Sequence, residues 1–355
     1  MVVLGVDAHK HSHTVGAVNE LGQPLQQTCV RSNDHGHEQM MAWAYRYWPD
    51  QPRIWAIEDC RHVTGRLERA LLAAGEQAVR VPPKLTVLYR RTARSRGKTD
   101  PIDAVAIARA GLTEPDLPVA SHDETSRAIK LLVDHREHLV VERTRVVNRL
   151  RWHLHRLEPD HRITARTLHR PANIERVHHL LTMTDPCVDR NLAEELLSDV
   201  ERLTRRIDAA ERDLHERINE TAPDLLALPG CAHLTAAKIV AETAGISRFR
   251  SGDAYAAYTG TAPIPASSGN THRNRLARGG NRQLNAALHR IAVTQTRLTG
   301  AGQAYYRRRQ REGHSTTEAL RALKRKIARA VYQQLKSAAH QRENPVPLPS
   351  YNIAA

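Results

Sequence analysis

Four carboxylates occupy positions where chemistry is possible. Asp7 closes the apolar run VVLGVD (2–7) and Glu58 closes RIWAIE (53–58), so each stands at the end of a predicted strand. Asp100 and Asp103 lie in KTDPIDAVAIARA, where Pro101 marks the first turn of a helix. A spacing of three puts this pair on neighbouring sides of one turn. Singly, a strand-end acid reads as a turn residue and Asp100 as an N-cap. Gathered at one sheet edge, four acids in a basic protein need a compensating charge, and a divalent cation supplies it. All-oxygen donors suit Mg²⁺ or Mn²⁺. No cysteine joins them, which disfavours zinc. Paired metals on carboxylates clamp the attacking and leaving oxygens of phosphoryl transfer.

The substrate class follows from charge. The 355 residues carry 53 Lys and Arg against 38 Asp and Glu, a formal net charge of +15. Such a chain is drawn to polyanions, and nucleic acid is the first choice over a merely solvated basic surface. Basic runs flank the candidate chemistry. Lys84, Arg90, Arg91, Arg94, Arg96 and Lys98 precede the Asp100 pair, and Arg273, Arg275, Arg278 and Arg282 lie in a Gly- and Asn-rich stretch further on. They read as phosphate contacts or as solvated faces, not as base readers. No helix-turn-helix or zinc-finger pattern names a DNA sequence. A single Phe argues against aromatic stacking on a sheet. His9, His11 and His13 alternate, which would share one side of a strand and could form a metal site; surface histidines are the simpler account.

The elements that must position these residues fall into zones. Residues 1–121 read as strands at 2–7, 13–19, 24–32, 53–58 and 77–81, with helices at 35–48 and 64–75: a three-stranded meander followed by βαβα units, hence a mixed sheet with helices on its faces. Residues 122–222 carry two apolar stripes between charges and read as a coiled-coil arm broken at Pro171, a dimerisation region, with an ordinary helical bundle the alternative. Residues 223–340 open with LLALPGCAHLTAAKIVAETAG, where a Pro-Gly turn joins two apolar helices as in a helix-hairpin-helix. Residues 341–355 read as a flexible tail. No apolar run approaches the roughly 20 residues that span a bilayer, and no signal peptide is indicated. Cys29, Cys60, Cys187 and Cys231 are too far apart for a zinc knuckle and read as reduced.

The order VVLGVDAHK, WAIEDC and RTARSRGKTDPIDAVAIARA resembles the amino-terminal domain of the DEDD transposases of insertion sequences, a family that includes the pilin-gene invertase and recombinases guided by a bridge RNA. LLALPGCAHLTAAKIVAETAG, FRSGDAYAAYTGTAPIPASSG and RGGNRQLNAALHRIA are similar to the family's carboxy-terminal domain. The resemblance spans nearly the whole chain, with the middle matched only as helix. It implies an RNase H-like (RuvC-like) mixed sheet, a helical coiled-coil arm and a mainly helical carboxy-terminal domain. It makes Asp7, Glu58, Asp100 and Asp103 the metal-binding acids, with Asp59 a neighbour easily mistaken for Glu58. It implies a serine nucleophile in PASSG, where Ser268 fits best and Ser267 is the rival; physically the stretch is also an ordinary loop. The implied partners are double-stranded DNA at element ends and target, a non-coding guide RNA, and a second copy of the chain, as a homodimer or a tetramer on DNA. The implied setting is a bacterial cytoplasm, at the nucleoid. A RuvC-like nuclease using water and a catalytically inactive nucleic-acid-binding protein are the competing readings.

Overall fold

A computed structural model describes residues 1–91, 99–114, 117–120, 123–266, 274–275, 277 and 279–343, with Arg61, His62, Asn274, Arg342 and Glu343 described by backbone only. Ser267, Ser268, Arg94, Arg96, Lys98, Arg273, Arg278 and most of the predicted tail lie outside the described residues. The chain divides into two compact units: residues 1–123 with 245–254, and residues 124–244 with 255–355. The predicted zones 122–222 and 223–340 fall largely within the second.

In the first unit, β1 (Val2–Ala8), β2 (Ser12–Val18), β3 (Pro24–Arg31), β4 (Arg53–Glu58) and β5 (Gln77–Val81) form one sheet in the order β3-β2-β1-β4-β5. β1 to β3 are an antiparallel meander, whereas β4 runs parallel to β1 and β5 parallel to β4. This is the mixed sheet with helices on its faces expected from the sequence. Every residue of β1 is buried, because it is central and covered on both faces. On one face Leu4, Val6, Trp55 and Ile57 pack with Met40 and Ala44 of α1 (Asp34–Tyr47) and Leu67 and Leu71 of α2 (Arg61–Ala73). Burying each Leu or Ile side chain contributes about 1.5–3 kcal/mol.

The opposite face carries α3 (Pro83–Arg91) and α4 (Asp100–Thr113). Val3, Ala56 and Val81 meet Ile107, Ala108 and Ala110 there. The small residues of DAVAIARAG are what let α4 approach the sheet backbone. A Cβ on Gly5 would overlap the Ala104 carbonyl and the Ala108 amide, and one on Gly111 would press on Ala56. α4 is thereby seated directly on β1 and β4, its N-terminal turn at the end where Asp7 and Glu58 emerge. Thr99, not Asp100, is its cap residue; Asp100 is already helical.

In the second unit α5 (Glu124–Leu157) and α7 (Val188–Thr221) have 34 residues each, so each spans roughly 50 Å. Arg136 pairs with Glu211 and His153 with Asp189, so the helices run antiparallel. Their seam joins Leu139, Val147, Leu150 and Leu154 to Leu197, Val200, Leu203 and Ile207. The connection contains its own helix, α6 (Pro171–Met183), which Pro171 starts at the position where a missing N–H costs nothing. The first limb of the predicted helix-hairpin-helix is a 3₁₀ turn, Pro223–Ala227, and only the second is an α-helix, α8 (His233–Thr243). Pro223 and Pro229 leave too few residues for a stable α-helix between them. α9 (Gly252–Tyr258), the short pair β6 (Ile264–Pro265) and β7 (Asn274–Arg275), α10 (Arg282–Arg297), α11 (Ala301–Arg311) and α12 (Thr316–Glu343) complete the fold. Among the described residues no helix is long and apolar enough to cross a membrane. All four cysteines are free.

Candidate metal centre

The acids are gathered by strand register and by the seating of α4. β1 and β4 are paired in parallel through Val6 and Ile57, so Asp7 and Glu58, one residue on, share the same end and the face that α4 covers. Asp7 is 5% exposed, and its position beside Thr14 of β2 leaves it inside the sheet. Asp100 stands in the first turn of α4 and is open to solvent; Asp103, one turn along, is buried.

His9 completes the arrangement. Its Nε2 lies 3.3 Å from Asp7 Oδ2 and 3.6 Å from Asp100 Oδ1. One ligand atom from each of Asp7, His9 and Asp100 falls within 4.8 Å of the others, the spacing of a metal-binding group. The remaining acids lie around this trio. Burial pushes the Asp7 carboxyl up from its usual 3.8 to about 6; His9 opposes that shift, and the charges of Glu58, Asp103 and Asp100 add to it. Cys60 also borders the cluster: its thiol is 3.9 Å from Glu58 Oε2, and burial followed by Glu58, Asp59 and Asp7 raises its pKa.

Asp103 has a protein counter-charge. Arg90 donates from Nη1 to both of its oxygens, at 2.7 and 2.9 Å. Among the described residues Asp7 has no Lys or Arg partner. A buried carboxylate facing three like charges is costly unless a cation neutralises it. The donors, mostly hard oxygens with one imidazole, fit a divalent ion of the Mg²⁺ or Mn²⁺ kind.

The family model named DEDD Tnp IS110 and described as Transposase matches residues 4–159, which contain this whole cluster. A second model, described as the Transposase IS116/IS110/IS902 family, matches residues 222–307. The chain belongs to the IS110/IS116 family of DEDD transposases. Similar proteins of this family include a 44.8 kDa protein of insertion element IS116 from Streptomyces clavuligerus, 24% identical over 94% of each chain. A 42 kDa protein of insertion element IS900 from Mycobacterium paratuberculosis is 25% identical, covering 94% of this chain and 96% of its own. A solved T. thermophilus RuvC in complex with Holliday junction substrate is 17% identical, with a TM-score of 0.24 over 32% of this chain and 97% of that one.

Within this transposase, the sequence-predicted residues have different fates. Asp7 and Asp100 come together with His9, a histidine read more simply as a surface residue. β1 ends at Ala8, so His9 sits beyond the strand while His13 is buried in β2, its Nε2 3.2 Å from that of His37. The three alternating histidines therefore do not share a face. Lys84 and Arg91 are exposed on α3, whereas Arg90 is bound to Asp103. Arg275 and Arg282 are exposed in the second unit.

Proposed function

We propose that this transposase breaks and rejoins DNA at the ends of an insertion element, using a cation held by Asp7, Glu58, Asp100 and Asp103 and the hydroxyl of Ser268 as nucleophile. The observation that carries this reading is the buried Asp7 carboxylate facing three further acids and His9, in a chain whose family is that of DNA transposases. When bound there, a divalent cation would polarise the scissile phosphate and stabilise the charge that develops on it.

The chain's own groups do the rest. The Ser268 Oγ–H loses its proton and Oγ forms a bond to phosphorus, while the bond from phosphorus to a sugar oxygen breaks and that oxygen takes a proton. A phosphoserine link stores the bond energy for rejoining, so no nucleotide triphosphate is consumed. Lys84 and Arg91 on α3, with Arg94, Arg96 and Lys98 beyond, follow the nucleic-acid backbone, as do Arg273, Arg275, Arg278 and Arg282. Sequence choice is delegated to a structured guide RNA, a division of labour supported by the +15 charge and by the absence of a base-reading motif in the sequence. Residues 1–121 carry the carboxylates, 122–222 dimerise and 223–340 carry the serine. The α5–α7 arm supports dimerisation by presenting Trp152 at 71% exposure and Val188 at 74%.

The full chain is incubated with Mg²⁺ and end-labelled element-terminus DNA carrying its guide RNA, and the products are resolved under denaturing conditions. A covalent protein–DNA adduct, lost in Ser268→Ala and in Asp7→Ala but kept in Ser267→Ala, is the expected result. Free ends without any adduct would make water the nucleophile and overturn the serine assignment. Mixing Asp7→Ala with Ser268→Ala chains restores activity only if one active site draws on two protomers.

A further inference from the structure

The second unit contains a cavity of about 380 Å³ walled by Gly260–Pro263, by Arg275 of β7 and by residues of α11 and α12. Its lining includes six Lys and Arg side chains against one carboxylate, Glu318. That carboxylate is taken by the backbone N–H and hydroxyl of Ser315. The cations here are the unusual feature. Lys324 is 8% exposed, yet among the described residues its ammonium donates only to the neutral amide oxygen of Asn285, at 2.7 Å. Burial, and then the neighbouring Arg321, lowers its pKa. Among the described residues Arg309 has a buried Nε without a hydrogen-bond partner, although its Nη1 pairs with Glu312.

A buried cation normally has a carboxylate beside it, as Lys238 has Glu137 in the same unit. Lys324 has none paired with it among the described residues, and the neighbouring Arg321 repels it. An anion entering from solution would meet Lys324 and Arg321, with the Arg309 guanidinium on the same wall. Ala262, Pro263, Ala322 and the ring of Tyr305 add apolar wall, with Thr261 and His314 the other polar side chains. Charge on one side with an aromatic and apolar surface on the other is the chemistry that receives a phosphate and its base. The volume suits one small ligand and is far too small for a duplex.

We propose that this cavity captures a single unstacked nucleotide of a nucleic-acid strand, its phosphate held by Lys324, Arg321 and Arg309 and its base lying against Tyr305 and Pro263. The assignment rests on the reading of the chain as a nucleic-acid enzyme and goes beyond it by naming a pocket and a strand form. The nucleotide is delivered by a single strand of DNA or of RNA, which present the same phosphate and base.

The test measures binding of the full chain, in EDTA, to fluorescent 12-mers of oligo-dT, oligo-rU and a duplex of equal length. The same 12-mers carrying 4-thiothymidine or 4-thiouridine are photocrosslinked and the attached peptides mapped. Both single strands are expected to bind more tightly than the duplex and to crosslink within residues 301–326. The ratio of the two affinities tells which nucleic acid supplies the nucleotide. Lys324→Met and Arg321→Gln should each weaken single-strand binding about tenfold and flatten its salt dependence by about one phosphate contact. Arg321→Gln, on a partly exposed side chain, keeps the test valid should Lys324→Met fail to fold. Unchanged affinity and salt slope in Arg321→Gln, or crosslinks confined to other helices, would overturn the pocket. Asp7→Asn is the control: it should bind the 12-mers normally, so loss of cleavage and loss of strand capture remain separable.

Discussion

Asp7 in the first unit and Lys324 in the second are mirror images. Each is more than nine-tenths buried, each faces like charges, and burial pushes each toward its neutral form. Glu68 and Arg80 show the contrasting case. They are as deeply buried, but Arg80 donates to Glu68 from both Nε and Nη2, and Thr64 gives Glu68 a further hydrogen bond. The pair holds α2 against β5 with its charges matched, leaving Arg80 Nη1 without a hydrogen-bond partner among the described residues. The two unsatisfied charges are costly to the folded chain alone, and the proposed ligands, a cation at Asp7 and a phosphate at Lys324, would each supply the opposite charge. An uncompensated buried charge is thus the physical mark that separates candidate sites from structural ion pairs in this molecule.

That contrast can be broken experimentally. The largest effect is expected at the satisfied pair: Glu68→Gln strands the Arg80 guanidinium and should cost about 3–5 kcal/mol in urea unfolding. Next, Asp7→Ala should slow strand cleavage by about a hundredfold or more in a timed assay with Mg²⁺, with stability in EDTA no lower than about that of the parent. The third outcome has the opposite sign to the first. In EDTA at pH 7 to 8, Asp7→Asn should stabilise the protein by up to about 3 kcal/mol, since two pKa units correspond to roughly that much. The carboxyl's folded value of about 6 lies above its usual 3.8, so the wild type loses stability as pH rises between them. The gap between the two proteins in thermal melts should therefore close near pH 4. Saturating Mg²⁺ should raise the melting temperature of the wild type and leave Asp7→Asn unmoved. The smallest effect is at Lys324→Met, where the melting temperature should rise while oligonucleotide affinity falls about tenfold, near 1.4 kcal/mol.

Much of the fold is legible in residue order alone. The runs at 2–7, 53–58 and 77–81 become β1, β4 and β5 because uninterrupted apolar segments bounded by turn residues have few other places to go. Pro101 and Pro171 each lie within the first two residues of a helix, as a fixed φ and a missing N–H require. The limits are equally specific. The 3₁₀ turn at Pro223–Ala227 was hidden by a good helical pattern, since hydrophobic spacing does not register how two flanking prolines shorten a helix. Alternation put His9 and His13 on one side of a strand, but the strand ends between them. Nothing local distinguished Lys324 from Lys326 and Arg325 in LKRKIARA: its burial depends on Asn285, 39 residues earlier and on a different helix.

By itself the sequence determined the types of the reacting groups, the strands and helices that bear them, and the family. Composition, period and motif are local properties that the chain carries whether or not it is folded. Only the tertiary structure decided that small residues on α4 let it settle onto β1, that His9 joins Asp7 and Asp100 while Arg90 occupies Asp103, and which buried charges lack a partner. Those outcomes turn on distances of a few ångströms between residues far apart in the chain, and electrostatic energy depends on distance and burial, neither of which residue order records.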